Sequence, residues 1–367
     1  MRILFLEEQP CIRALKYAKG LRSNYKDIEL YFGYRGLTLD GFYGHGEELF
    51  VEWFKLNSNT ALTLKSIVDK INPDIIHSHN APDSLTVAAI QAFKGVIPIV
   101  HDVHDLMTIR HTAFDDGIER MEAPPDRIEH EEKIALEKSD GVIAVSEAIL
   151  EIASQKYNLD GQKNLVFPNY IVNDMIPQVF KDKVSRLDGT VHIVYEGHLD
   201  GKRSGGHYDL YDIFKEIAGQ AIHMHIYPSR ETDFYKKLSE EEIFIYYHGS
   251  LPPPHLMVEI TQYDFGWSGF NAKKNRDHVD TVLANKTIEY ISAGLPVISF
   301  PHKAQKRFIE KHGVGLVIDD ISELSEKLKT RDIEAIKRRV QEKRYSFTIE
   351  KQIGKIYQFY RNIIANF

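Results

Sequence analysis

The sequence predicts an α/β protein built from two parallel-sheet domains that face a shared central cleft. Three observations carry the prediction. Short apolar, β-branched runs alternate with longer segments of helical period from Arg2 to Phe167, which is the pattern of right-handed βαβ units. A polar stretch from Pro168 to Gly189, with no clean period of either kind, breaks the alternation before it restarts. The length of 367 residues also exceeds what one core ordinarily serves, since a domain takes roughly 150 residues.

In the first domain the predicted strands are Arg2–Leu6, Ile28–Phe32, Asp74–His77, Ile97–Val100, Gly141–Val145 and Leu165–Phe167. Between them lie helical patterns at Arg13–Ser23, Leu62–Ile71, Leu85–Phe93, Glu129–Lys138 and Glu147–Tyr157. Asn72-Pro73 stops one helix, and Lys94-Gly95 followed by Pro98 ends the next in the usual glycine-then-proline order. Long connections at Gly33–Trp53 and Met107–Arg127 read as binding loops or lids.

The second domain repeats the alternation: strands at Val191–Tyr195, His223–Tyr227, Ile243–Tyr247, Asp264–Trp267 and Val297–Phe300, with helices at Tyr208–Ile217, Thr232–Leu238, Leu256–Gln262 and Lys286–Ala293. The expected division is 1–172 for the first domain, 173–188 for the linker and 189–348 for the second. Ile353, Ile356, Tyr357, Tyr360 and Ile363 recur at helical spacing, so 349–367 forms a helix that needs a surface to pack against.

Composition narrows the function class. With 46 Lys+Arg, 53 Asp+Glu and a net charge of −7, the chain is not suited to nucleic acid as its main partner. A single cysteine, Cys11, forbids an intramolecular disulfide and any thiolate-rich zinc site. No stretch approaches the roughly 18 apolar residues of a transmembrane helix, and four apolar residues before Glu7-Glu8 are too few for a signal peptide. A reducing cytoplasm is the expected setting.

Ligands of parallel sheets bind at the carboxyl ends of the strands, so the residues there name the chemistry. In Ala284-Asn-Lys-Thr-Ile-Glu-Tyr-Ile-Ser-Ala-Gly-Leu-Pro-Val-Ile298, Asn285 is read as the N-cap, Gly294 as the stop and Pro296 as the lead into a buried strand. A helix this short offers its N-terminal N–H groups and dipole to a pyrophosphate, with Lys286 adding charge in the first turn. Glu289 shares a face with Lys286 and can accept from a ribose diol. The glycine-rich loop Gly197–Gly206 after the first strand of this domain brings Lys202 and Arg203 to bear on a leaving diphosphate. In the first domain, His104 follows a strand end and can accept a proton from a hydroxyl.

Two readings compete. His77, His79, His101 and His104 at neighbouring strand ends could bind zinc, manganese or iron and make a metal-dependent hydrolase, although their spacing fits no metal motif. The other is a non-catalytic nucleotide-sugar-binding protein. Tyr246, Tyr247, Tyr263 and Trp267 read as core, and Lys306 to Lys311 as a solvated helix face.

The run Asn285-Lys286-x-x-Glu289-Tyr290-x-x-Ala293-Gly294-Leu295-Pro296-Val297-Ile298 resembles the donor-site helix of retaining glycosyltransferases of family 4. Pro73-Asp74-Ile-Ile-His77-x-His79, Asp102-Val-His104-Asp105, Ser139-Asp140-Gly-Val-Ile-Ala-Val-Ser146, Phe167-Pro168-Asn169, Tyr195-x-Gly197, His248-Gly249-x-Leu251-Pro252 and Tyr263-Asp264-Phe-Gly266 match in order. The resemblance implies two Rossmann-like domains in the GT-B architecture, with the C-terminal helix crossing back to the first. It implies a nucleoside-diphosphate-sugar donor, transfer with retention to an unidentified glycan, lipid-linked or small-molecule acceptor, and neither cofactor nor metal. By resemblance, Lys202, Arg203, Asn285 and Lys286 hold the diphosphate, Glu289 the ribose, and Gly249, Ser250, Leu251 and Thr287 touch base or sugar. His104 is the catalytic candidate. Lipid-linked acceptors of relatives imply peripheral contact with the inner membrane face.

Two departures stand out. Glu7-Glu8-Gln9-Pro10 replaces the Gly-Gly loop common after the first strand, and Thr281 stands where the first Glu of a Glu-x7-Glu motif is expected, which shifts the sugar contacts to Gly269–Asn271. Nucleotide-sugar epimerases, a related GT-B class, reuse the same donor pocket.

Overall fold

A computed structural model of the chain describes residues 1–7, 11–36, 46–58, 60–80, 83–110, 124–159 and 163–367. The chain divides into two units, Met1–Val172 with Ile349–Phe367, and Asn173–Thr348. The first holds a seven-stranded parallel sheet: β1 (Arg2–Glu7), β2 (Glu29–Tyr34), β3 (Glu52–Lys55), β4 (Ile75–His79), β5 (Ile99–Val103), β6 (Gly141–Ala144) and β7 (Asn164–Val166), in the order β3-β2-β1-β4-β5-β6-β7. The second holds six parallel strands: β8 (His192–Gly197), β9 (His223–Pro228), β10 (Ile245–Tyr247), β11 (Phe265–Trp267), β12 (Val297–Ser299) and β13 (Gly315–Val317), in the order β10-β9-β8-β11-β12-β13. Strand order reverses at β1/β4 and at β8/β11, the switch points beside which such sheets bind ligands.

Three aspartates staple the sheets by one device. Asp74, Asp140 and Asp264 each stand one residue before a strand, and each accepts the first N–H of the neighbouring strand: Arg2 N–H at 2.7 Å, Ile99 N–H at 2.9 Å and His192 N–H at 2.9 Å. Those N–H groups would otherwise lack a ladder partner at the amino edge. Pro73-Asp74, Ser139-Asp140 and Tyr263-Asp264 therefore carry strand registration. Ser146, which closes the second of these motifs, caps the Glu147–Lys156 helix by accepting from Ile149 N–H.

The helix Gly354–Ala365 belongs to the first unit and buries Ile356, Tyr360 and Ile363, each worth about 1.5–3 kcal/mol by apolar burial. Its approach requires Gly141 at the start of β6, where a Cβ would lie 2.4 Å from Ile363 Cδ1. Tyr357 stacks on Tyr25 with ring centroids 3.9 Å apart.

Several elements differ from expectation. β3 occupies the end of the expected Gly33–Trp53 loop, and β13 was not anticipated, because both are runs of only a few residues on which a period of two cannot register. Residues 37–45 and 111–123, the bulk of both expected loops, lie outside the described residues, as do Glu8, Gln9 and Pro10. The expected linker holds a short turn at Asn173–Met175 and a one-turn helix at Ser185–Asp188. Asn285 is the first helical residue; Ala284 is the N-cap and offers no side-chain oxygen to the helix start. Among the described residues no helix is long and apolar enough to cross a membrane.

Candidate active site

In the second unit the site is built around Lys286. Residue 286 is 7% exposed, and its ammonium donates to the Tyr195 hydroxyl at 3.3 Å. It sits over the Tyr195, Phe270 and Tyr208 rings, 4.5, 5.4 and 5.8 Å from their centroids. The aromatic faces compensate part of the lost hydration. Burial still pulls the ammonium below the ordinary lysine range, opposed by the charges of Glu196 and Glu289. No carboxylate comes within ion-pair distance of it among the described residues.

Gly197 makes this placement possible. It ends β8 with φ +122°, and a Cβ there would lie 3.3 Å from both Cε and Nζ of Lys286. The carboxyl end of β8 and the start of the Asn285–Ser292 helix thus meet at one ammonium. Ser229 N–H donates to Gly197 O at 2.8 Å, which brings in the end of β9. After β10, the Gly249-Ser250 turn is held by Glu231, whose carboxylate accepts Ser250 N–H at 2.7 Å and the Tyr247 hydroxyl at 2.8 Å. Leu251 is half-buried, Glu289 is half-buried and Asn285 is exposed.

Thr287 lies elsewhere than a ligand-facing surface. It is 0% exposed, and its hydroxyl donates to Gln305 Oε1 and meets Ser268 Oγ, both at 2.7 Å. Gln305 is the hub that sequence reasoning missed. Its Oε1 also accepts from Ser268 Oγ and Ala284 N–H, and its Nε2 donates to Ser268 O and Ser299 Oγ, so one buried amide ties the helix start to the ends of β11 and β12. It lies on the Lys303–His312 helix, where flanking lysines suggested only a solvated face; apolar patterning cannot flag a glutamine as core.

The loop after β8 departs from the phosphate-cradle expectation. Gly205 N–H donates to Asp209 and Gly206 N–H to Ser204 Oγ, so these glycines serve the loop itself. Lys202 is exposed, and Arg203 pairs with Asp212 while lying 4.8 Å from the Tyr211 centroid. Thr281 is buried and donates to His278 O at 2.6 Å. Asn271 Nδ2 donates to Asp209 O at 3.0 Å. The aromatic zone is mixed: Trp267 and Tyr263 are core, Tyr246 is exposed.

In the first unit the chemistry gathers around Asp102. Its carboxylate, 0% exposed, accepts both contacts of Arg13 Nε at 3.1 and 3.0 Å, the Tyr17 hydroxyl at 2.7 Å and His77 Nε2 at 3.2 Å. Burial alone would push this carboxyl up; Arg13 and the His77 hydrogen bond hold it well below the ordinary range. His77 Nδ1 meets the Tyr360 hydroxyl of the C-terminal helix. His104 sits just past β5, its N–H donating to Asn80 Oδ1 at 2.8 Å and its Nε2 lying 3.0 Å from His79 Nδ1. Burial pushes its pKa down to about 4, so the imidazole is neutral at pH 7.

The four-histidine metal cluster does not form. His101 registers with Ser78, so it points to the opposite face of the sheet from His79 and Asp102 and meets Thr86 and Asp83 there. His77 is committed to Asp102 and Tyr360. His79 stacks on His77 with ring centroids 4.6 Å apart and meets His104 through a ring nitrogen.

Two stretches of the sequence, and the fold, match known proteins. Residues 37–173 match the family described as Glycosyltransferase Family 4, and residues 206–351 match Glucosyltransferase 3-like, C-terminal domain. No curated protein matches the chain. Among solved structures, sucrose-phosphate synthase from Thermosynechococcus elongatus superposes with a TM-score of 0.71 at 14% identity, covering 100% of both chains. HepE of Anabaena in complex with UDP gives 0.69 at 16% identity, covering 98% of this chain and 100% of that one. WaaG, a glycosyltransferase involved in lipopolysaccharide biosynthesis, gives 0.62 at 11% identity over 96% and 98%. Two parallel sheets with their switch points and these matches make the chain a glycosyltransferase of the GT-B fold that resembles family 4.

Proposed function

We propose that the chain transfers a sugar from a nucleoside-diphosphate-sugar to a hydroxyl acceptor, with retention and without a metal. The observation that carries this is the buried Lys286 ammonium at the first turn of its helix, caged by aromatic rings and, among the described residues, facing no carboxylate at contact distance. A buried cation in that state gains from an anionic partner, and the helix dipole adds to the attraction. The diphosphate is that partner, and Lys286 with the helix start stabilises the charge that develops on it as it leaves. Glu289, one turn on, accepts from the ribose, and the Gly249-Ser250-Leu251 turn borders the base. Arg203 can join only by giving up Asp212. UDP in HepE supports the donor class, and a second HepE structure holds UDP-glucose. On the acceptor side the neutral His104 imidazole receives the hydroxyl proton, and a glycan or lipid-linked alcohol supplies that hydroxyl.

A thermal-shift panel of UDP, GDP, ADP and their glucose conjugates, with and without chelator, tests the reading. A diphosphate present at 100 times its Kd should add about 2.7 kcal/mol of stability. Lys286→Met should remove that gain without lowering the stability of the free protein, since it exchanges a buried cation for an apolar chain of similar length. A nucleotide that stabilises wild type and Lys286→Met equally would refute the assignment, and a requirement for divalent metal would refute metal independence.

A further inference from the structure

Cys11, His79 and His104 converge at the carboxyl edge of the first sheet. The thiol sulfur and one nitrogen of each imidazole all lie within 4.8 Å of one another. His79 is 1% exposed, and its Nε2 has no hydrogen-bond partner among the described residues. His79 Nδ1 and His104 Nε2 are 3.0 Å apart. Two imidazoles on one tetrahedral zinc ion, with bonds of about 2.0–2.1 Å, place their nitrogens about 3.3 Å apart. The rings are inclined at 78°, so their in-plane lone pairs can meet at one point.

Two other clusters share this spacing but not this geometry. At Asp188, His192 and His223 the imidazoles are stacked, with planes within 11° and centroids 4.3 Å apart, which confines their lone pairs to two nearly parallel planes that do not share a point near the rings. At His77, His79 and Asp102 the carboxylate and His77 are already engaged by Arg13, Tyr17 and Tyr360.

We propose that Cys11, His79 and His104 form a binding site for a zinc-type divalent cation. The donor set of one sulfur and two imidazoles favours zinc or cobalt over magnesium or calcium. Binding forms a metal–sulfur bond and displaces the thiol proton, which leaves to solvent by way of the Glu7 carboxylate that the thiol meets. The protein supplies three ligands and water the fourth. Because the cation occupies His104, it inhibits transfer; that consequence, unlike the binding itself, rests on the role given to His104 above.

Cys11 is the chain's single cysteine, so its spectroscopic signature is unambiguous. Titrating the full-length protein with cobalt(II) should give, at one equivalent, a thiolate-to-cobalt charge-transfer band that zinc displaces. Cys11→Ser should abolish the band, and His79→Gln should weaken cobalt affinity by about tenfold or more. On unmodified protein, zinc should slow alkylation of Cys11 by iodoacetamide, a readout that needs no variant to fold. Absence of the band together with unprotected alkylation overturns the site. Zinc that binds and blocks turnover in wild type but not in Cys11→Ser supports both the site and its consequence, whereas zinc that binds at Cys11 without affecting turnover keeps the site and removes His104 from the reaction.

Discussion

The carboxylate of Asp102 organises the first unit, and its removal has a calculable cost. Asp102→Ala deletes the acceptor of Arg13 Nε, the Tyr17 hydroxyl and His77 Nε2 at once. Arg13 is 3% exposed and retains its hydrogen bond to Phe167 O at 2.8 Å, but its charge is left without a counter-ion. Breaking a buried pair from one side costs about 3–5 kcal/mol. For a unit of this size, about 2–4 °C per kcal/mol places the shift of its unfolding transition on the order of 10 °C. Differential scanning calorimetry of the full chain resolves it. The double variant Arg13→Met with Asp102→Leu removes both charges, and should recover much of the loss because the desolvation penalty disappears with the pair. A cost below about 1 kcal/mol for Asp102→Ala, or a double variant as damaged as the sum of the singles, would show that the pair is not energetically coupled.

Three further outcomes follow from the packing. Gln305→Ala removes the partner of Ala284 N–H, Ser268 O and Ser299 Oγ and leaves the Thr287 and Ser268 hydroxyls only each other; chemical denaturation should show a loss of about 3 kcal/mol or more, and nucleotide affinity should fall with it, since the helix carrying Lys286 loses its anchor. Gly141→Val puts a side chain where Ile363 sits; limited proteolysis should then cut near the C-terminal helix, which stays protected in wild type. His302 accepts Phe270 N–H through Nε2 at 3.1 Å and burial depresses its pKa to about 4. A histidine whose folded pKa lies below its unfolded value contributes stability above about pH 6.5 and loses it as pH falls toward 4. The stability difference between pH 7 and pH 4.5 should therefore shrink by about 2–3 kcal/mol in His302→Gln; an unchanged difference would clear His302 of the role.

How much of this was legible in advance depended on the kind of signal. Long alternating segments gave the fold class, because period 2 and period 3.6 separate cleanly over a dozen residues. The three- and four-residue strands β3 and β13 are too short for that test. That Lys286 and Glu289 lie one turn apart on one helix was legible because helix geometry relates residues three apart. That the 286 ammonium is caged by residues 195, 208 and 270 was not, since those contacts span up to 91 positions of chain.

The sequence by itself determined two parallel α/β sheets and the short helix that carries Lys286 in its first turn, because both follow from local periodicity and from the Gly294 and Pro296 stop. Only the tertiary structure decided which polar residues are structural and which are available. Register turned His101 to the far face of its sheet while His79 and His104 met. Three motif aspartates proved to be strand staples. Arg203 is drawn to Asp212. In each case the deciding quantity is where a hydrogen-bond or ion-pair partner lies in space, and residue type does not encode that.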